Sequence, residues 1–89
     1  MKKLIELIES KAHQFNYYAR RQSEISINDT HYNDIKRMLD MLESEMNGIE
    51  EVCKALDYTL EIDYRTIIEG TFYVEISVIV LDGNLIFKA

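Results

Sequence analysis

Residues 35–64 read IKRMLDMLESEMNGIEEVCKALDYTLEIDY, and the spacing of the apolar residues changes within this stretch. As far as Leu56 they follow one another at alternating intervals of four and three, which is the seam of an amphipathic helix. The seam consists of Ile35, Leu39, Leu42, Met46, Ile49, Cys53 and Leu56. After Asp57 apolar and polar residues alternate, and a period of two is typical of a strand with one buried face. The chain is therefore predicted to pass from helix to strand near Asp57.

Two helices are predicted before this change of period. The first covers residues 3–22, in which one helical stripe is apolar. That stripe consists of Leu4, Leu7, Ile8, Phe15, Tyr18 and Ala19. The second covers residues 29–56 and continues through Gly48, because the seam stays in phase on both sides of this glycine. Three candidates for its N-cap are Ser26, Asn28 and Asp29.

Three strands are predicted after Asp57. The first two carry apolar residues at every second position, within residues 58–65 and 72–80, and the third follows an Asp82-Gly83 turn. On the second strand we expect the core side to hold Phe72, Val74, Ile76, Val78 and Val80.

The turns predict how these strands pair. The Asp82-Gly83 turn sets residues of like character opposite each other: Val80 with Leu85, Val78 with Phe87, and Ile79 with Ile86. A loop at residues 68–70, with Gly70 in the left-handed conformation, does the same for Tyr64 with Val74 and Ile62 with Ile76. The sequence therefore predicts a single α+β domain over residues 1–89, in which two N-terminal helices pack on one face of a three-stranded antiparallel meander, α-α-β-β-β.

Size and charge narrow the class of protein. With 89 residues and a net charge of −6, the chain has room for one core and is too acidic for general nucleic-acid binding. Cys53 is the only cysteine, so an intrachain disulfide is excluded and a reducing cytoplasm is the expected compartment. No run of about 18 apolar residues occurs, so we expect no membrane span. Without a glycine-rich phosphate loop or a paired-histidine motif, we expect no cofactor, no metal site and no enzymatic activity.

The first predicted helix is basic within an otherwise acidic chain. Residues 1–22 hold five Lys or Arg against two Glu. The polar side of this helix carries His13, Tyr17, Arg20 and Arg21. Two interpretations fit this cluster: a partner-binding patch for a phosphate or an acidic protein surface, or a solvated helix face whose arginines are favoured by the helix dipole.

The second predicted helix carries the opposite charge. Its acidic cluster consists of Asp40, Glu43, Glu45, Glu50 and Glu51. These residues either present negative charge to a nucleic-acid-binding enzyme, as a DNA mimic does, or form the solvated back of the helix. Lys36 and Lys54 are expected to pair with Asp40 and Glu50 at the two ends of this surface.

The sheet face away from the helices is predicted to be apolar through Ile79, Leu81 and Ile86. A contiguous exposed apolar patch usually marks an interface. A helix over residues 29–56, ~42 Å long, is also longer than a strand of about 30 Å can cover. We therefore expect a homodimer, formed through this patch or through the second helix.

In size and acidity over its whole length, the chain resembles small phage-encoded inhibitors such as anti-CRISPR proteins. The resemblance implies a non-enzymatic module that binds and occupies a host or defence protein. Two alternatives remain open: a small nucleic-acid-associated protein that uses Tyr17, Arg20 and Arg21, and a structural subunit of a larger assembly. No sequence motif separates the three.

Overall fold

The structure, a computed structural model, describes residues 2–89 apart from the side chains of residues 69 and 71. Its elements are α1 (Lys2–Glu24), α2 (Tyr32–Ala55), β1 (Leu60–Glu69), β2 (Thr71–Leu81) and β3 (Asn84–Lys88). The strands form one antiparallel sheet in the order β1-β2-β3. The predicted α-α-β-β-β arrangement is confirmed.

Helix α1 lies between the other elements, with α2 on one side and strands β2 and β3 on another. It buries Ile8, from its predicted stripe, and Ala12 in the main core, whereas Leu7 of that stripe is exposed. The second half of α2 adds to the same core. The buried residues of this core are Ile8, Ala12, Met46, Ile49, Cys53, Ile76, Ile79, Leu81 and Phe87. Since α1 fills the space directly above β2 and β3, it determines how far the sheet is covered.

The predicted seam of α2 is buried apart from Leu39, which is half-buried, and Leu56. Ile35, Leu42, Met46, Ile49 and Cys53 are buried, and the helix continues through Gly48 as expected. Leu56 is exposed, because the helix ends at Ala55 and the chain reverses at Asp57, whose φ is +59°. The N–H of Tyr58 then closes the helix end by donating to the carbonyl of Cys53 at 2.8 Å.

The predicted N-caps of α2 are wrong. Residue His31 occupies the N-cap position, and its side chain makes no capping bond. Asp29 instead accepts a hydrogen bond from the N–H of His31 at 2.8 Å, and Ser26 accepts one from the N–H of Asn28 at 3.2 Å. These side chains stabilise turns in the loop before the helix, which is the competing role of short polar residues.

The first hairpin pairs in a different register from the predicted one. Gly70 is left-handed as expected, with φ +74°, but the strands pair right up to it, so the predicted loop at residues 68–70 is wrong. Tyr64 lies opposite Ile76 and not Val74. Between Ile76 and Val78 the register shifts by one, so Ser77 has no partner on β1 and forms a bulge.

The second hairpin contains a similar irregularity. Val80 pairs with Leu85 as predicted, but Ile79 pairs with Phe87, so Ile86 is the extra residue of a second bulge. The predicted pairs of Val78 with Phe87 and of Ile79 with Ile86 are therefore wrong.

The bulge at Ser77 reverses the phase of the rest of β2. Beyond an extra residue, the side chains that would have faced solvent face the core. Ile79 and Leu81 are consequently 0% and 2% exposed, so the predicted apolar patch on the far sheet face is wrong. Ile86, its third member, is half-buried and packs against the same core.

Candidate functional site

The β1–β2 hairpin extends past the end of β3. Strand β3 pairs only with residues 78–81 of β2, so residues 64–76 form a two-stranded ribbon, here called the hairpin arm. Ile76 points into the core, and strand alternation places every second residue of the arm on that same side. The large apolar side chains there are Tyr64, Ile68, Phe72 and Val74, all exposed. The face of the arm that points toward the helices is therefore apolar, and the helices leave it exposed.

A cleft of about 400 Å³ separates the hairpin arm from the helices. Its lining comprises Phe15, Ala19, Gln22 and Ser23 of α1, Tyr32, Leu39 and Glu43 of α2, and Phe72, Tyr73 and Val74 of β2. Each helix contributes residues at helical spacing, so one side of each faces the cleft. Among the described residues of this lining, Glu43 alone carries a formal charge. We call this space the apolar cleft.

Asn16 fixes the inner end of the hairpin arm. Its side-chain amide donates to the carbonyl of Ile76 at 2.9 Å and accepts from the N–H of Ile76 at 2.7 Å. Where β3 ends, one side chain thus replaces the hydrogen bonds of a neighbouring strand. Sequence reasoning missed Asn16, because a polar residue beside an apolar helix stripe gives no sign of which backbone it will meet.

The acidic residues of α2 lie beside the apolar cleft. Burial raises the pKa of Tyr64 above its ordinary value of 10.0, and the carboxylates of Glu50 and then Glu43 raise it further. Tyr64 also contacts Phe15, with ring centroids 6.2 Å apart, so these carboxylates lie close to the cleft lining. Asp40 and Glu51 are exposed on the same helix. The expected pairing of Lys54 with Glu50 is wrong, because Lys54 pairs with Glu51 at 3.6 Å.

The basic cluster predicted on α1 divides into two parts. His13 packs edge-on against Phe87, with ring centroids 5.0 Å apart. Arg20 and Arg21 both approach Glu24, at 3.0 and 3.9 Å. The arginines are therefore partly neutralised by a carboxylate of the same helix, which the sequence analysis did not consider.

Tyr17 lies beside these arginines and is well exposed. Its ring meets Tyr18 edge-on at 5.2 Å. Tyr17, Arg20, Arg21 and Glu24 line one shallow depression, so the structure brings three of the four predicted residues together. Tyr18 is half-buried, on the side of α1 that its stripe predicts.

Cys53 is fully buried in the core, where burial first, and then the charges of Asp82 and Glu50, raise the pKa of its thiol above 9.0. A neutral, enclosed thiol is a packing group and a poor nucleophile. Among residues 2–89, no three His, Cys, Asp or Glu side chains are arranged to hold a metal ion. Neither described helix combines the length and the hydropathy needed to cross a membrane.

Comparison with protein-family models, with curated proteins and with solved structures gave no match to this chain.

Proposed function

We propose that this chain is a non-enzymatic protein-binding module that holds an apolar segment of a larger protein in the apolar cleft. The observation that carries the proposal is the apolar face of the hairpin arm. Ile68 and Phe72 are 75% and 69% exposed on this face, and Phe72 lines the cleft together with Phe15, Ala19 and Leu39 of the helices. A contiguous exposed apolar surface inside a cleft is typical of an interaction site.

The shape of the molecule supports this proposal. Its accessible surface is 6067 Å², whereas a compact monomer of its 10.5 kDa is expected to expose about 5,400 Å². The radius of gyration is 14.0 Å, against about 12 Å for a compact chain of this length. The excess surface, roughly 600 Å², approaches the ~800 Å² that each partner contributes to a standard interface. The thin, extended form is thus suited to lying against a partner.

Binding in the cleft inhibits the partner by occupying its functional surface. A module without chemistry of its own acts on another protein by covering a site or by blocking a conformational change. An inhibitor of a host or defence protein is the version that small size and acidity favour.

Capture from a lysate of the source organism tests the proposal. The tagged chain should retain a specific protein, identified by mass spectrometry, and Phe72→Ser should abolish that capture. Leu85→Ser is the matched control, because Leu85 is also an exposed apolar residue of the sheet, at 59%, but lies on β3 away from the cleft lining. Undiminished capture by Phe72→Ser would contradict the proposal.

A further inference from the structure

Two carboxylates of α2 lie in or near the apolar cleft. Glu43 lines the cleft, and Glu50, seven residues and two turns further along the same side of α2, lines a separate depression with Lys54. Both carboxylates lie close enough to Tyr64 of the hairpin arm to disfavour its phenolate. A segment that enters the cleft beside Tyr64 therefore passes these two negative charges.

Neither carboxylate forms an ion pair within the described part of the chain. Three nearby cations have other partners: Lys11 pairs with Glu45, Lys54 with Glu51 and Arg65 with Glu75. Arg65 is held by Glu75 at 2.5 and 2.6 Å, on the sheet face away from the helices. Among the described side chains, Glu43 and Glu50 form no ion pair.

We propose that the occupant of the apolar cleft is a cationic segment of the partner protein, with an apolar anchor flanked by Lys or Arg side chains. This inference rests on the proposed function and adds the charge of the partner to it. The anchor fills the space between Leu39 and Phe72, and the flanking cations meet Glu43 and Glu50. Segments of this composition are characteristic of nucleic-acid-binding proteins, whose surfaces are basic.

The same charges disfavour the other occupants. A second copy carries a net charge of −6, so the two copies repel each other. A nucleic acid would place its phosphates beside Glu43 and Glu50, which repel them. An uncharged apolar segment would leave the two carboxylates without counter-ions at the edge of a covered surface.

Two short labelled peptides test the inference. Both carry Val and Phe at the same positions, and the remaining positions are all Lys in one and all Glu in the other. Fluorescence anisotropy gives the affinity at low and high salt, and the amide spectrum of the folded chain locates the contact. We expect the Lys peptide to bind, to shift the amide signals of Leu39, Glu43 and Val74, and to weaken as salt is raised.

Charge variants supply the control. The double variant with Glu43→Gln and Glu50→Gln should lower the affinity for the Lys peptide by about fivefold, which is the range expected for the loss of two exposed ion pairs. Glu6→Gln with Glu9→Gln changes the net charge equally at the far end of α1 and should have less than about twofold effect. Sedimentation of the free chain accompanies these measurements, to detect self-association.

The inference is overturned if neither peptide shifts the cleft signals, if the Glu peptide binds as well, or if both double variants weaken binding equally. A dimer that dissociates on Phe72→Ser would also overturn it, because a second copy would then fill the cleft. These outcomes are separate from failure of the proposed function, which is read from lysate capture by Phe72→Ser.

Discussion

Replacing Asn16 with alanine should loosen the hairpin arm from the core. Asn16 makes two hydrogen bonds to the backbone of Ile76, at 2.9 and 2.7 Å, and both are partly buried. Each such bond stabilises the folded state by about 0.5–1.5 kcal/mol, and its loss leaves a backbone group without a hydrogen-bond partner. We therefore expect Asn16→Ala to lower the free energy of unfolding by roughly 2 kcal/mol. For a domain of this size this corresponds to a fall in Tm of about 8–16 °C.

Thermal and urea unfolding followed by circular dichroism measure this loss. Gln14→Ala is the control, because Gln14 lies two residues away on the same helix and its side chain donates to the exposed Ser10, at 3.3 Å. Its effect should stay within about 0.5 kcal/mol. Asn16→Asp separates the two bonds, since a carboxylate keeps the acceptor for the N–H of Ile76 but loses the donor to its carbonyl.

Hydrogen exchange localises the effect. The amide of Ile76 should exchange slowly in the wild type and clearly faster in Asn16→Ala, whereas core amides of α1 should change only as global stability changes. If Asn16→Ala and Gln14→Ala unfold at the same temperature, and the Ile76 amide exchanges at the wild-type rate, then Asn16 does not seal the strand edge and the reasoning is refuted.

Four further predictions follow from burial and charge. Ile79→Ala should cost about 2–5 kcal/mol in urea unfolding, because Ile79 is fully buried; a loss below about 0.5 kcal/mol would mean that it faces solvent. Cys53 should react slowly with thiol reagents in the folded chain, and rapid labelling at neutral pH would contradict its burial. The raised pKa values of Cys53 and Tyr64 mean that the folded state holds these protons more tightly than the unfolded state. The contribution of the two protonated groups to the free energy of unfolding is therefore fully present below pH 9.0. It is lost as the pH rises past 9.0 for the thiol and past 10.0 for the phenol. Cys53→Ala should reduce the fall in Tm at alkaline pH. Arg20→Ala with Arg21→Ala should leave the free energy of unfolding within about 0.5 kcal/mol and lysate capture unchanged, since both arginines are exposed and lie outside the apolar cleft. Weakened capture would assign binding to the basic cluster of α1, outside the cleft.

Local patterns determined the elements and their order. A seam at intervals of three and four predicts α2, and the change to a period of two after Asp57 predicts the sheet, because helix and strand each impose a fixed repeat on a buried face. The left-handed Gly70 and the pairing of Val80 with Leu85 also follow from a few neighbouring residues, since turn geometry is a local property. These features need no knowledge of the rest of the chain.

The sheet faces were decided only by tertiary structure. Ser77 and Ile86 lie within regular alternating sequence, and nothing local marks either of them as the extra residue of a bulge. The bulge at Ser77 becomes favourable because it turns Ile79 and Leu81 toward α1 and α2, and burial of these side chains outweighs the lost regularity of the ladder.

The candidate site depended on tertiary structure still more. The acidic residues of α2 were visible in the sequence, but their position beside an apolar cleft was not. The cleft exists because β3 is short, Asn16 seals the edge where β3 ends, and the hairpin arm continues beyond the cover of the helices. A repeat in sequence states which residues of one element share a face, whereas the relative lengths and packing of separate elements determine which of those faces remain uncovered.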